Sequence, residues 1–169
     1  PRDFSGLGGI FDLIVIDAPC SGSGMFRKDP AAVTGWSTDL VDLCSERQQR
    51  ILSDIWPSLK NDGILIYSTC SYSVEEDEHI ADWIMENLAA ESLPVTVPAD
   101  WKIIHSESER HNAAGYRFYP DKVRGEGFYL AVFKKTSGAE SPARQKLKPK
   151  WVPVSKFIRE GLGNWMYTS

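Results

Sequence analysis

Cysteine and histidine are scarce in this 169-residue sequence, which contains three of each. The cysteines, Cys20, Cys44 and Cys70, are odd in number and far apart, which argues against a disulfide scaffold. No CxxC pair or histidine cluster provides the ligand spacing of a zinc site. We therefore expect no bound metal and no disulfide, and the reducing cytoplasm is the simplest location for the protein.

Long apolar runs are also absent. No run approaches the roughly 18 residues that a transmembrane helix needs, and Pro1 to Phe4 lacks the basic and then apolar pattern of a signal peptide. The GxxxxGK[ST] spacing of a phosphate-binding P-loop is missing too. We expect a soluble protein without a membrane partner. Because there is no initiator Met and a strand-like run begins at Ile10, we also expect it to be part of a longer chain.

Charge is distributed unevenly along the chain. The formal net charge is -4, but the segment from Lys134 to Ser169 carries +6, which leaves -10 for the preceding residues. A basic segment after an acidic body fits a nucleic-acid partner that is approached through one region. A solvated linker explains the same charges equally well.

Strand and helix patterns alternate in the first 90 residues. The run GIFDLIVIDA at 9–18 is almost continuously apolar, which predicts a strand covered on both faces of a parallel sheet. A helix ending near Pro57 and a turn at 61–63 precede a second strand at 64–69. The apolar positions of that helix are Leu40, Leu43, Cys44, Ile51, Leu52 and Ile55, and Arg47, Gln48 and Arg50 are predicted on its other faces.

Further elements follow the second strand. Ser73 and Glu76 match the S-x-x-E capping box, which predicts the start of a helix whose apolar stripe includes Ile80 and Ile84. Shorter strands are predicted at 95–97, 101–105 and 128–134. The strand, helix, strand, helix order predicts an α/β fold with a parallel β-α-β unit and a right-handed connection.

Both cysteine-containing segments follow predicted parallel strands. Asp17 and Cys20 lie in DAPCSGSG after the first strand, and Cys70 lies in STCS after the second. The carboxyl ends of parallel strands form the ligand-binding edge of open α/β sheets. Two thiols and a carboxylate at this edge favour covalent catalysis, and a following helix N-terminus would favour a thiolate at Cys70. A turn-capping Asp17 and a buried, structural Cys20 are the alternatives.

These motifs carry a family resemblance. DAPCSGSG at 17–24 and STCSYSVEEDE at 68–78 resemble the two signature motifs of the NOL1/NOP2/Sun family of RNA cytosine-C5 methyltransferases. GYRFYPDKVRGEGFYLAVFKK at 115–135 is similar to the final catalytic-domain motif of the family's bacterial ribosomal-RNA branch. Where the family often has Pro and Asn, this sequence has Val74 and Asp77, which changes the local charge.

The resemblance implies a specific chemistry. Cys70 would be the nucleophile that adds to cytosine C6, and Cys20 would help eliminate the covalent intermediate. Asp17 would contact N3 and the exocyclic amine of the base, and Asp17 and Pro19 would border the methyl donor, S-adenosylmethionine. The partner would be RNA, with ribosomal RNA favoured and transfer RNA as the alternative.

Three basic residues are candidate substrate contacts. Arg27 and Lys28 follow the glycine turn, where they would contact phosphate or form an ordinary solvated loop. Arg117 lies in the third matching motif. Cys44 is predicted to pack on its helix, and Trp36, Trp83 and Trp101 are predicted to pack rather than to stack on bases.

The resemblance also implies a domain organisation. Residues 1–135 would form the C-terminal half of a Rossmann-like class I methyltransferase sheet, and residues 136–169 a basic linker leading into an RNA-binding region. A glycine-rich loop after an N-terminal strand and an acidic ribose ligand are not found in the sequence. We therefore expect the isolated chain to be inactive. A noncatalytic RNA-binding module and a thiol-based redox enzyme are the competing hypotheses.

Overall fold

The computed structural model describes residues 1–4 and 6–137. The basic extension predicted from residue 136 lies, apart from its first two residues, outside the described part. The strands and helices are β1 (Phe11–Asp17), α1 (Pro30–Gly35), α2 (Thr38–Ile55), β2 (Leu59–Thr69), α3 (Glu78–Asn87), β3 (Ala90–Ser92), β4 (Ile104–Glu107), β5 (Ala114–Phe118) and β6 (Phe128–Lys135). Short 3-10 turns lie at Arg2–Phe4, Ser23–Met25, Trp56–Ser58, Val74–Glu76 and Ala99–Trp101.

One mixed sheet organises these elements in the order β1-β2-β6-β5-β4, and β3 also pairs with β6. β1 and β2 are parallel, with Ile14 opposite Leu65 and Asp17 opposite Ser68, and α2 connects them. The predicted parallel β-α-β unit is confirmed. The other pairings are antiparallel. Since Asp17 and Ser68 are register partners, the segments that follow β1 and β2 leave the sheet side by side.

The core lies between this sheet and the helices α2 and α3. The core side chains with no exposed surface include Leu52, Leu65, Tyr67, Ile80, Ile84 and Phe133. Each fully buried aliphatic side chain contributes roughly 1.5–3 kcal/mol. Helix α2 ends at Ile55 and continues as a 3-10 turn, so the predicted end near Pro57 is confirmed.

Two predictions about burial are wrong. Leu43 was placed on the apolar face of α2 but is 61% exposed, whereas Gln48, predicted on another face, is 1% exposed. Gln48 is buried because its amide has buried polar partners at the sheet edge, the Pro19 carbonyl and the Glu76 carboxylate. The first strand is also not covered on both faces, since Leu13 and Val15 are 52% and 62% exposed in the part of the chain described.

The strands differ from the predicted ones at five places. β4 spans Ile104–Glu107 instead of the predicted 101–105, and β3 is not predicted. The predicted turn at 61–63 lies inside β2, where Asp62 has a φ of 61° and the register with β1 shifts. Residues 95–97 form no strand, since Val95 is held instead by the Tyr116 hydroxyl, which accepts from its N–H at 2.5 Å and donates to its carbonyl at 2.8 Å. β5 was missed. Its sequence, AGYRF, lacks the alternation that marks a strand.

Candidate active site

The two cysteine motifs meet at the carboxyl ends of β1 and β2. The Sγ atoms of Cys20 and Cys70 lie 3.1 Å apart. Both side chains are partly exposed and neither forms a disulfide. The strands bring the segments together, because the Ala18 N–H donates to the Ser68 carbonyl at 2.8 Å directly after the parallel pairing ends. The carboxyl-end edge of the β1–β2 pair therefore carries two adjacent, partly exposed thiols.

The contact between the thiols makes them chemically unequal. A hydrogen bond from the Cys20 thiol lowers the pKa of Cys70 to about 7, against the opposing effects of burial and of the Asp17 charge. The same hydrogen bond, with burial, raises the pKa of Cys20 far above its ordinary value. Cys70 is thus the group prepared to be a thiolate. We had expected a helix N-terminus to favour that thiolate, but α3 begins only at Glu78.

Asp17 lies at the end of β1 with its side chain exposed. The Ser68 hydroxyl donates to its Oδ1 at 3.2 Å, which orients the carboxylate and leaves its other oxygen open to a ligand. Pro19 is fixed from α2, where Gln48 Nε2 donates to the Pro19 carbonyl at 3.0 Å. The Asp17 charge acts on the Cys70 thiol, which places the carboxylate that the sequence predicts at this edge near the thiol pair.

Glu76 is part of the site although the sequence predicted it to cap a helix. Its side chain is fully buried, and the carboxylate accepts from the Ser21 N–H at 2.7 Å and from the Ser71 hydroxyl at 2.6 Å. The Ser73 hydroxyl makes no capping hydrogen bond, so the predicted capping box is wrong. Ser21 and Ser71 directly follow the two thiol residues in sequence. The Glu76 carboxylate binds these two serines instead of the backbone N–H groups at the start of a helix.

The loop between β5 and β6 closes against the same edge. The Gly24 N–H donates to the Cys70 carbonyl at 2.9 Å, and the Gly127 N–H donates to the Gly24 carbonyl at 3.0 Å. A Cβ atom at Gly24 would lie 2.6 Å from the Gly127 oxygen and 2.7 Å from the Cys70 oxygen. Glycine is required here because the backbones of the three matching motifs approach one another so closely.

The predicted phosphate contacts Arg27 and Lys28 are both exposed. Arg27 Nη2 donates to the Gly125 carbonyl at 2.8 Å and lies 3.0 Å from Glu126 Oε1. Its guanidinium therefore links the loop that follows the first cysteine motif to the β5–β6 loop. Contact with phosphate stays a prediction for both residues.

Arg117 is placed differently, under the site and not at its surface. Its guanidinium forms a two-pronged ion pair with Glu78, lies 3.1 Å from Asp77 Oδ2 and donates to the Tyr72 carbonyl at 3.3 Å. Burial raises the pKa of Asp77 to about 8. These contacts anchor β5 to the segment that follows Cys70. A substrate contact by Arg117 stays a prediction.

Three of the four remaining singled-out residues, Cys44, Trp36 and Trp83, have packing roles. Cys44 is buried on α2. Trp36 packs edge-on against Phe26, and its indole N–H donates to the Ser21 hydroxyl at 3.1 Å. Trp83 packs against the core, whereas Trp101 is 59% exposed.

Residues 1–4 and 6–137 contain neither a clustered set of metal ligands nor a membrane-spanning helix. No group of three or more His, Cys, Asp or Glu side chains is arranged there to hold a metal ion. None of the helices in those ranges has the length and hydrophobicity needed to cross a bilayer.

Comparisons with known proteins agree with this geometry. A family model described as 16S rRNA methyltransferase RsmB/F matches residues 2–134. Ribosomal RNA small subunit methyltransferase F from Shewanella sediminis is 36% identical over 156 residues, which cover 88% of this chain and 31% of that protein. The protein of the same name from Psychromonas ingrahamii is 35% identical over 83% of this chain and 29% of its own length. The chain thus spans less than a third of these relatives.

Solved structures show the same fold. NSun6 from Pyrococcus horikoshii, crystallised with SFG, is 26% identical with a TM-score of 0.64, covering 81% of this chain and 33% of that one. A methyltransferase homologue from Pyrococcus horikoshii is 30% identical with a TM-score of 0.59, covering 75% of this chain and 40% of that one. The predicted α/β, Rossmann-like fold is confirmed, and so is the resemblance drawn from the motifs. The chain belongs to the RsmB/F family of 16S rRNA methyltransferases, within the Sun-type methyltransferases.

Proposed function

We propose that this chain provides the two-cysteine catalytic edge of a ribosomal RNA cytosine-C5 methyltransferase. The observation that carries the proposal is the 3.1 Å contact between Cys20 and Cys70, beside Asp17, at the ends of two parallel strands. The names of the curated relatives support small-subunit ribosomal RNA as the substrate. Because the chain covers about 30% of those relatives, methyl transfer is assigned to the longer protein that contains it.

The thiols have separate roles in this chemistry. The Cys70 thiolate adds to C6 of cytosine, a C–S bond forms, and the electron pair of the C5–C6 double bond moves to C5, which makes C5 nucleophilic. After C5 has gained a methyl group, a base removes the C5 proton, the double bond forms again and the C–S bond breaks. The target base must leave any stack to reach this edge, which favours flipped or single-stranded RNA.

Cys20 is suited to the elimination step. Its pKa is raised chiefly because it donates a hydrogen bond to the Cys70 sulfur. Once Cys70 is bonded to carbon, its sulfur no longer carries the negative charge that keeps Cys20 protonated. Cys20 can then lose its own proton to solvent, and the resulting thiolate, which remains beside the adduct, can accept the C5 proton as the Cys70 C–S bond breaks.

The described residues fit one end of S-adenosylmethionine. The exposed carboxylate of Asp17 and the neighbouring Pro19 lie beside the thiol pair, where the methyl group must be delivered. When bound, S-adenosylmethionine supplies the methyl group. The related NSun6 was crystallised with SFG, an analogue of this cofactor, which supports its use here. No glycine-rich loop that would hold the rest of the cofactor is found in the sequence.

The assignment is tested by methyl transfer from labelled S-adenosylmethionine to small-subunit ribosomal RNA. We expect turnover by the full-length protein and none by the 169-residue chain, because the chain lacks most of a cofactor site. Transfer RNA serves as the competing substrate, and cytosine C5 is identified by nucleoside analysis. Robust turnover by the isolated chain would refute its predicted inactivity, and methylation of another atom would refute the cytosine-C5 assignment.

Asp17→Asn is expected to reduce kcat about 100-fold or more, because the charged group proposed to contact N3 and the exocyclic amine of the cytosine is lost. Folding should change little, because the carboxylate is exposed and is held by a single serine hydroxyl. Asp12→Asn is the matched control on the same strand, where the carboxylate pairs with Lys60 at the surface. A fall in Tm large enough to account for the lost activity would contradict a chemical role for Asp17.

A further inference from the structure

We propose that Glu76 is the positioning residue that fixes the distance between the two thiols. The inference rests on the proposed function, since it explains how the cysteine pair is kept ready for catalysis. It concerns a residue that touches neither thiol. Glu76 acts through Ser21 and Ser71, the residues that directly follow Cys20 and Cys70.

The contacts of the carboxylate are divided between the two cysteine motifs. Its Oε1 accepts from the Ser21 N–H at 2.7 Å and from Gln48 Nε2 at 3.3 Å. Its Oε2 accepts from the Ser21 hydroxyl at 2.5 Å and from the Ser71 hydroxyl at 2.6 Å. One rigid group thereby joins two loops that lie 50 residues apart in sequence.

Residues of the core hold Glu76 itself in place. Its side chain has no exposed surface, and the buried Tyr67 hydroxyl donates to its carbonyl at 2.7 Å. Gln48, which reaches Oε1, also donates to the Pro19 carbonyl at 3.0 Å. The carboxylate is therefore a fixed point of the core to which both thiol-bearing segments are attached. Hydrogen bonds to a buried charged acceptor are stronger than neutral ones and hold their geometry more tightly.

The consequence for catalysis is geometric. Nucleophilic attack by Cys70 and removal of the C5 proton by Cys20 require both sulfur atoms to lie against the same cytosine ring. A displacement of about 1 Å is enough to reduce a rate about 100-fold. Without the carboxylate, Ser21 and Ser71 lose their common acceptor. The two segments remain joined on either side by the Ala18–Ser68 and Gly24–Cys70 backbone hydrogen bonds, but the spacing of the thiols between these two points is no longer fixed by a shared side chain. Binding of RNA through other surfaces does not depend on that spacing.

The experiment compares Glu76→Ala, Glu76→Gln and Ser71→Ala in the full-length protein, with Glu75→Ala as the control. Glu75 is the exposed neighbour of the same residue type. Glutamine keeps an acceptor at the Oε1 position, and its amide can donate to serine hydroxyls that turn to accept. We expect Glu76→Ala to reduce kcat about 100-fold with KM for RNA within about threefold, and Glu76→Gln to retain at least about one tenth of kcat.

A second readout measures the thiol spacing without methyl transfer. Phenylarsine oxide binds pairs of close thiols by forming two As–S bonds, with its oxygen leaving as water together with the two thiol protons. The wild-type protein, Glu75→Ala and Glu76→Gln should bind it tightly. Glu76→Ala and Cys20→Ala should bind it at least about tenfold more weakly, and Ser71→Ala should lie between these groups.

The outcomes separate this inference from the proposed function. Unchanged kcat and unchanged arsenical affinity in Glu76→Ala would overturn it, as would a raised KM with kcat retained. If Glu76→Ala fails to fold, wild-type kcat and arsenical affinity in Ser71→Ala would overturn it equally. If no variant, wild type included, methylates RNA but the arsenical affinities follow the expected order, the positioning role stands and the proposed function fails.

Discussion

Replacing Cys70 with alanine in the full-length protein is expected to abolish methyl transfer and to leave no covalent protein–RNA adduct. Cys70 is the thiol whose pKa is lowered, to about 7, so its sulfur is the one available as a nucleophile near neutral pH. Removal of the nucleophile removes the covalent step altogether, and we expect kcat to fall by at least about 1,000-fold.

Replacing Cys20 with alanine is expected to have the opposite effect on the adduct. The C–S bond at Cys70 still forms, but the group that assists its breakdown is missing, so the RNA should stay attached to the protein. The adduct is measured as a band of raised mass on a denaturing gel with labelled RNA. Loss of the Cys20 hydrogen bond also raises the pKa of Cys70, so the adduct should form more slowly than it would with an intact pair.

Cys44→Ala is the control for both variants, because Cys44 is buried on α2 and lies outside the thiol pair. An adduct that accumulates in Cys70→Ala and not in Cys20→Ala would reverse the roles of the two cysteines. RNA binding that survives in both variants without any adduct, and without methylation by the wild type, would instead favour a noncatalytic RNA-binding module.

The elements that could be predicted are those whose side-chain pattern is local. β1, α2, β2, α3 and β6 all follow from apolar runs or helical spacing, and the parallel pairing of β1 with β2 follows from their connection through a helix. β5 could not be found in this way. Gly115 in that strand is selected by a distant contact, since a Cβ there would lie 2.6 Å from the Tyr129 hydroxyl.

The residues of the site likewise divide into those that local sequence patterns predict and those that they do not. Asp17, Cys20 and Cys70 were recognisable because each follows a predicted strand and parallel strands end at a common edge. The sequence pattern predicts Gln48 on a face of α2 other than the apolar one, and Glu76 in a capping box, because polar residues usually have those roles. Ser71 is a near neighbour of Glu76 in sequence, but Ser21 lies 55 residues from Glu76, and Gln48 lies 28 residues from it. Only the folded chain brings Ser21, Gln48 and Glu76 together.

Replacing Arg117 with methionine is expected to destabilise β5 and the start of α3 by about 3–5 kcal/mol, the usual cost of removing one partner from a buried ion pair. The guanidinium lies between Glu78 and Asp77, whose side chains are 9% and 0% exposed. Glu78 would lose the cation that offsets its burial, and Asp77, whose pKa burial already raises to about 8, would lose the neighbouring cation that favours its charged form. Methionine fills similar volume, so the effect should reflect charge and not a cavity.

Amide hydrogen exchange in the full-length protein measures this loss where it arises, because protection reports local opening. A change of about 3 kcal/mol corresponds to a fall in protection of more than about 100-fold. Arg117→Lys should restore little, because an ammonium cannot form the two-pronged contact with Glu78. Adding Glu78→Gln to Arg117→Met should recover part of the loss, because one uncompensated charge disappears.

Lys122→Met is the surface control, since Lys122 pairs with the exposed Asp121 and should contribute no more than about 0.5 kcal/mol.

The same variants decide between two roles for Arg117. If Arg117 anchors β5, the variants should show less amide-exchange protection in β5 and α3. The affinity of the folded molecules for RNA should then stay unchanged. If it contacts substrate, as its place in the third motif predicted, RNA affinity falls while protection stays at the wild-type level. The four polar contacts with Asp77, Glu78 and Tyr72 favour the first result.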